Sequence, residues 1–356
     1  MTSVPQAEPP SASALEADVR DELVEAANES RRIVFSLDTR RATLLYWAGV
    51  ALCVAGLFVT KLLPCVDYPQ HLALSDVARR LADPAAPEHA EYRLNYFTYN
   101  GLFHFAVAWL SRLVPIELAG RIVVAASLVA MAGAVVALLR VTRRPLVHAA
   151  LFTPILFSFS VGWGFVNYVL ATAIAAWTLV FVARAAMRPT VRDVAAVAVL
   201  GGVCAFAHVL AMLILCLAAA AVGLELAWRS ARGTRSRGWA RVARTALRVA
   251  IAVGPLLLGC LYCIAVYREQ YVWDPNMYRD PTLEGTAPPI WAKLLWFTAY
   301  STDLFWDATD QVLLAVAVAV MGWMEWVAYR RKRAGVPRDP AERPLVLPFV
   351  ALFGAY

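Results

Sequence analysis

Charge-free apolar runs of roughly 17–22 residues recur along the chain from Thr43 onward, the length that crosses the hydrocarbon core of a bilayer. They do not alternate apolar and polar positions, as the strands of a membrane barrel do. The pattern predicts an all-α fold, a polytopic transmembrane helical bundle. The first run spans Thr43 to Leu63 and ends at Pro64. Cys65 to Asn100 is polar and holds a helix-like stretch, Leu72 to Leu81, broken at Asp83-Pro84. Gly101–Leu113 reads as an interfacial helix ended by Pro115, with Trp109 and Arg112 suited to a membrane surface. Leu118–Leu139 is the span that follows. Hairpins are expected over 146–187, with a tip near Trp163–Tyr168, and over 193–228, turning near His208. Spans at 247–266 and 311–328 come next. The last apolar run, Leu345 to Tyr356, is too short to cross, so a C-terminal part is expected to be missing. A membrane domain over 39–356, with about eight spans and one incomplete, therefore follows an acidic, largely disordered tail over 1–38. That tail has no apolar segment of the signal-peptide kind.

Composition sharpens this. With 60% hydrophobic and 17% charged residues, the chain departs from soluble domains far enough to exclude a soluble enzyme. The net charge of +7 comes from Arg clustered between the apolar runs, which reads as membrane topology and not as a nucleic-acid groove. Arg31, Arg32, Arg40 and Arg41 precede the first span and put the N-terminus in the cytoplasm. Arg140–Arg144, Arg184–Arg192, Arg229–Arg248 and Arg330–Arg333 are further cytoplasmic joints. The loops 64–118 and 267–310 are expected outside, since Cys65–Asn100 and Tyr267–Asp310 carry an excess of acids. Six cysteines lie mostly within apolar helices, where a thiol acts as a small hydrophobe; Cys260-Leu-Tyr-Cys263 has no second pair beside it in sequence.

Candidate chemistry gathers on the predicted outer face. Asp67 and His71 stand four residues apart just beyond the first span, a spacing that turns both toward one site on a helix. Asp67 suits a general base or a metal ligand and His71 a proton shuttle or phosphate contact. The plainer alternative is a helix N-cap followed by a solvated His. His208 is the only ionisable residue besides two cysteines in the thirty-one positions between Asp193 and Glu225, which makes it a functional candidate by default. A His bonded to a backbone carbonyl is its plain alternative. Asn167 and Tyr168 at the 162–168 tip, His104 in the interfacial helix, and Arg93 in the first loop complete the polar set. An Arg there suits a phosphate.

The order of elements resembles the GT-C superfamily of integral-membrane glycosyltransferases, including the protein O-mannosyltransferase and aminoarabinose-transferase branches. The resemblance rests on a short cytoplasmic tail, one helix, and an external loop opening with Asp67. Tyr99-Asn-Gly-Leu-Phe-His-Phe-Ala-Val-Ala-Trp-Leu110 resembles that group's amphipathic segment of the type PLYYLLLALL, and Arg121 to Arg144 its Arg-started span. It covers roughly 40 to 310, in layout more than identity. The chain departs from the group at Tyr68, where a second acid is common, at the tip Val166-Asn167-Tyr168, and at Tyr99-Asn100, where aminoarabinose transferases carry a lysine.

The resemblance implies a bacterial inner-membrane transferase with a polyprenyl-phosphate-linked sugar as donor and a lipid, glycan or protein acceptor. Asp67 would be the base, or the ligand of a divalent cation, and His208 would lie near the lipid phosphate. A transporter is the rival from another class; it would carry ionisable groups near the bilayer midplane, on broken helices. A non-catalytic scaffold of the same fold is the third reading.

Overall fold

A computed structural model describes residues 39–142, 159–232 and 238–273, with isolated positions beyond them. The tail over 1–38, most of the first arm of the 146–187 hairpin, most of the 267–310 loop, nearly all of the 311–328 span and the run from Leu345 lie outside the described residues. Within them every regular element is helical.

The elements are α1 (Thr39–Gly56), α2 (Tyr68–Arg80), a 3₁₀ turn at Pro87–Ala90, α3 (Leu102–Leu110) and α4 (Ile116–Val141). They continue as α5 (Phe159–Trp163), α6 (Val166–Met187), α7 (Val191–Ala207) and α8 (Val209–Arg232). The last two are α9 (Trp239–Val253) and α10 (Leu257–Trp273), joined through a 3₁₀ turn at Gly254–Leu256. Four stretches are long and apolar enough to cross a membrane: Ile116–Val141, Val166–Met187, Val209–Trp228 and Trp239–Glu269. The chain is a helical membrane protein.

Three boundaries differ from the sequence expectation. The helix expected from Leu72 starts at Tyr68. The first helix stops at Gly56 and not at Leu63, and residues 57–64 continue in turns. The 247–266 span instead belongs to one rod beginning at Trp239, because Arg241, Arg244 and Arg248 are good helix formers and Pro255 sits at the start of a 3₁₀ turn, where its missing N–H costs nothing. The segment expected as an interfacial helix over Gly101–Leu113 is helical over Leu102–Leu110, as α3, and Pro115 is the N-cap of α4.

At the centre is α6, packed on α4, α7 and α8. Its buried face is largely alanine, from Ala171 to Ala186, which lets neighbouring backbones approach closely without a hydrophobic drive from lipid. Buried hydroxyls on the spans return to their own helices: Ser127, Thr172 and Thr178 donate to the carbonyls of Val123, Tyr168 and Ile174. Trp177 Nε1 and Tyr46 Oη donate across helices to Ala130 and Ala132.

Cross-helix pairs fix the directions. Tyr168 meets His208 at one end of α6 and α8, and Gly223 faces Val182 toward the other, so these two run in the same sense. Between them α7 runs back: Arg184 Nε pairs with the buried Asp193 at 2.9 Å at one end, and Cys204 reaches Ala171 near the other. Thr190 caps α7 by accepting the Asp193 N–H at 3.1 Å, and its hydroxyl donates to Asp193 Oδ2 at 2.7 Å. The rod α9–α10 is antiparallel to α8, with Val253 by Gly223 and Cys260 by Cys216, and brings Tyr262 under the first loop, where its hydroxyl donates to Thr98 O at 2.7 Å. The first loop, the 162–168 tip and the turn at His208, all assigned to the outside by the charge pattern, thus share one end of the bundle.

Candidate functional site

That shared end is built by a backbone junction. The break between α5 and α6 falls at Gly164, whose φ of +96° disfavours any side chain. A Cβ there would also lie 2.8 Å from the Tyr68 backbone nitrogen and 3.1 Å from that of Asp67. The close approach lets the Asp67 N–H donate to Trp163 O at 2.9 Å. Tyr68 then turns fully inward, donates to Glu117 O at 3.3 Å, and fills the space over Gly120, where a Cβ would run into its hydroxyl. The position that departs from the glycosyltransferase pattern is thus a packing residue here.

Asp67 is the N-cap residue of α2 by position, yet its side chain makes no capping hydrogen bond and stays half-buried. His71 is not merely solvated either. Its ring packs edge-on to Phe103 at 6.1 Å and lies 5.2 Å from the His104 ring. Burial lowers the His71 pKa, and the Asp67 charge offsets part of that.

His104 is the hub. Its Nδ1 lies 3.3 Å from both His71 O and Ser75 Oγ, and its Nε2 lies 3.3 Å from Asn167 Nδ2. An amide NH₂ can only donate, so Nε2 accepts and the proton sits on Nδ1. Burial first, then the neighbouring His71, pushes the His104 pKa down to about 4, against the pull of the His71 carbonyl. The imidazole is therefore neutral near pH 7. Asn167 Oδ1 and His71 Nδ1 are buried without a hydrogen-bond partner among the described residues. Both atoms lie beside the hub and can accept or donate a further hydrogen bond there.

His208 breaks the helix between α7 and α8 in extended backbone, and its ring meets Tyr168 edge-on at 5.2 Å. The structure therefore unites Asp67, His71, His104, Asn167, Tyr168 and His208 at one end. Arg93 is exposed in the first loop, and no contact among the described residues ties it to this cluster. Sequence reading missed Ser75, which is fully buried and joins His71 to His104; its spacing of four from His71 was the available signal.

Among the described residues no three His, Cys, Asp or Glu side chains converge. Asp67 is the carboxylate that would hold a divalent cation, together with phosphate oxygens of a substrate.

Alongside the polar cluster runs an apolar cavity of about 590 Å³ between α4 and α6, lined by Leu102, Ala106, Ile122, Leu170, Trp177 and Phe181 among others. Leu170 stands one turn from Asn167, and Leu102 two residues from His104. Of the groove's lining, Leu170 is the residue that shares a helix turn with the cluster. Comparison with protein-family models, curated proteins and solved structures finds no match for this chain.

Proposed function

We propose that this protein is a membrane glycosyltransferase of the GT-C kind, moving a sugar from a polyprenyl-phosphate donor to an acceptor hydroxyl. One observation carries the reading: carboxylate, imidazole and amide groups gather at a single end of a bundle whose spans also carry an apolar groove. A lipid-linked polar substrate has that two-part shape.

In this reaction Asp67 takes the proton of the acceptor hydroxyl as its oxygen attacks the anomeric carbon. The bond from that carbon to the carrier phosphate breaks, and the phosphate leaves with the electron pair. His208 accepts the Leu210 N–H on Nδ1, so its proton sits on Nε2, a donor suited to the leaving charge. His104 and Asn167 hold His71 and the sugar in register.

The transporter reading draws less support. Ser127, Thr172 and Thr178 on the spans are satisfied within their own helices, and the buried Asp193 is paired with Arg184 at the opposite end. The decisive experiment incubates the purified protein with a panel of polyprenyl-phosphate sugars and follows carrier release by mass spectrometry. Release by the wild type and none by Asp67→Asn is expected; no release from any donor would overturn the reading.

A further inference from the structure

A second cavity, of about 410 Å³, opens on another face of α3 from the groove, between α2, α3 and the C-terminal end of α7. Its apolar wall is a run of stacked rings. Tyr96 lies on Phe105 at 5.2 Å and 16°, and Phe105 on Phe206 at 5.9 Å and 12°. Two guanidinium groups, Arg79 and Arg112, line it as well. They differ in how far they are committed. Arg79 is held by Asp76 at 2.7 Å, and the same carboxylate is shared with Arg80 at 3.1 Å. Arg112 has no carboxylate within ion-pair distance among the described residues. Beside it Trp109, also in the lining, is 64% exposed on α3, where an indole suits a membrane surface.

We propose that this cavity is an anion site, taking a phosphate ester, with the phosphate on Arg112 and Arg79 and the body of the ester against the Tyr96–Phe105–Phe206 rings. The chemistry follows from the walls. A planar guanidinium without a carboxylate matches phosphate oxygens in a bidentate way, and the stacked rings, whose faces are turned to one another, offer an apolar wall of ring edges to the body of the ester. The phosphate can belong to a lipid headgroup or to a soluble sugar phosphate. The proposal goes beyond the transferase reading, since none of these residues belongs to the Asp67 cluster.

Binding, and not turnover, tests it, so its failure and that of the transferase reading are distinguishable. The full chain is placed in phosphatidylcholine nanodiscs containing a minor share of phosphatidylglycerol, and retained lipid is identified by native mass spectrometry. In a parallel arm glucose 1-phosphate is titrated in solution. The wild type is expected to retain phosphatidylglycerol over phosphatidylcholine, or to bind glucose 1-phosphate saturably; the arm that responds names the source. Arg112→Gln is expected to weaken that binding by about tenfold or more, with Arg112→Lys recovering part of it. Arg112 is exposed, so both variants keep the wild-type melting temperature. Equal retention of both lipids with no sugar-phosphate binding would overturn the proposal, as would wild-type binding by Arg112→Gln.

Discussion

His208 Nδ1 accepts the backbone N–H of Leu210 at 3.2 Å, so the side chain that interrupts the two helices also caps the second of them. Its other ring nitrogen is left as a donor at the end of the bundle that holds Asp67. One residue carries two roles, and two substitutions separate them. Asn is among the best N-caps and keeps the bond to α8, whereas Ala loses it at a cost of about 1 kcal/mol. His208→Ala is expected to lower both the melting temperature and sugar transfer, and His208→Asn to lower transfer alone, by about a hundredfold. Full transfer by the Asn variant would leave His208 a capping residue only.

Asp67 makes no side-chain capping bond, so Asp67→Asn is expected to insert and melt as the wild type does, within about 0.5 kcal/mol. Transfer should fall by orders of magnitude, because an amide cannot take the acceptor proton. Retained transfer in a folded variant would remove Asp67 from the reaction.

His104 and His71 both have pKa values lowered by burial, His104 to about 4. The unfolded chain binds protons on these rings at the ordinary value near 6.5, the folded chain only further down. Stability is therefore full above pH 6.5 and lost as pH falls from there toward 4, with His104 contributing on the order of 2–3 kcal/mol. Melting temperature measured across that window should drop in the wild type and drop less in His104→Gln. Identical pH profiles would show that His104 is not the titrating group.

Gly164 combines a φ of +96° with backbone nitrogens 2.8 and 3.1 Å from where a Cβ would lie. Gly164→Ala is expected to cost about 1–3 kcal/mol from the backbone alone and to push Asp67 out of register. Loss of transfer should accompany the lower melting point. A variant that melts and turns over normally would refute the junction.

Removing the charge of Asp193 leaves Arg184 half-exposed, so the penalty falls short of that for a fully buried pair. Asp193→Asn, which keeps a side chain for Thr190 to donate to, should cost roughly 1–2 kcal/mol and leave transfer by the surviving folded fraction unchanged, because the pair lies at the opposite end. Reduced turnover per folded molecule would argue for a role at the active end.

The helical character, the apolar helices over 116–141 and 166–187, and the short helix before Pro115 were legible in the sequence because lipid demands long apolar runs and Arg marks their joints. The break at His208 was legible for a similar reason: one ionisable side chain in a long apolar stretch needs a polar place to go. Spacing alone left Asp67 as either a spent cap or a free carboxylate, and only the fold frees it, by giving its backbone N–H to Trp163 and leaving its side chain uncommitted. It also turned Tyr68 inward and made His104 the hub between His71, Ser75 and Asn167, residues up to 63 positions from it. Local pattern carries hydrophobicity and helix ends, which act within a few residues. Which side chains meet across helices depends on where small residues such as Gly120, Gly164 and the alanines of α6 let backbones touch, and that is decided only when the helices pack.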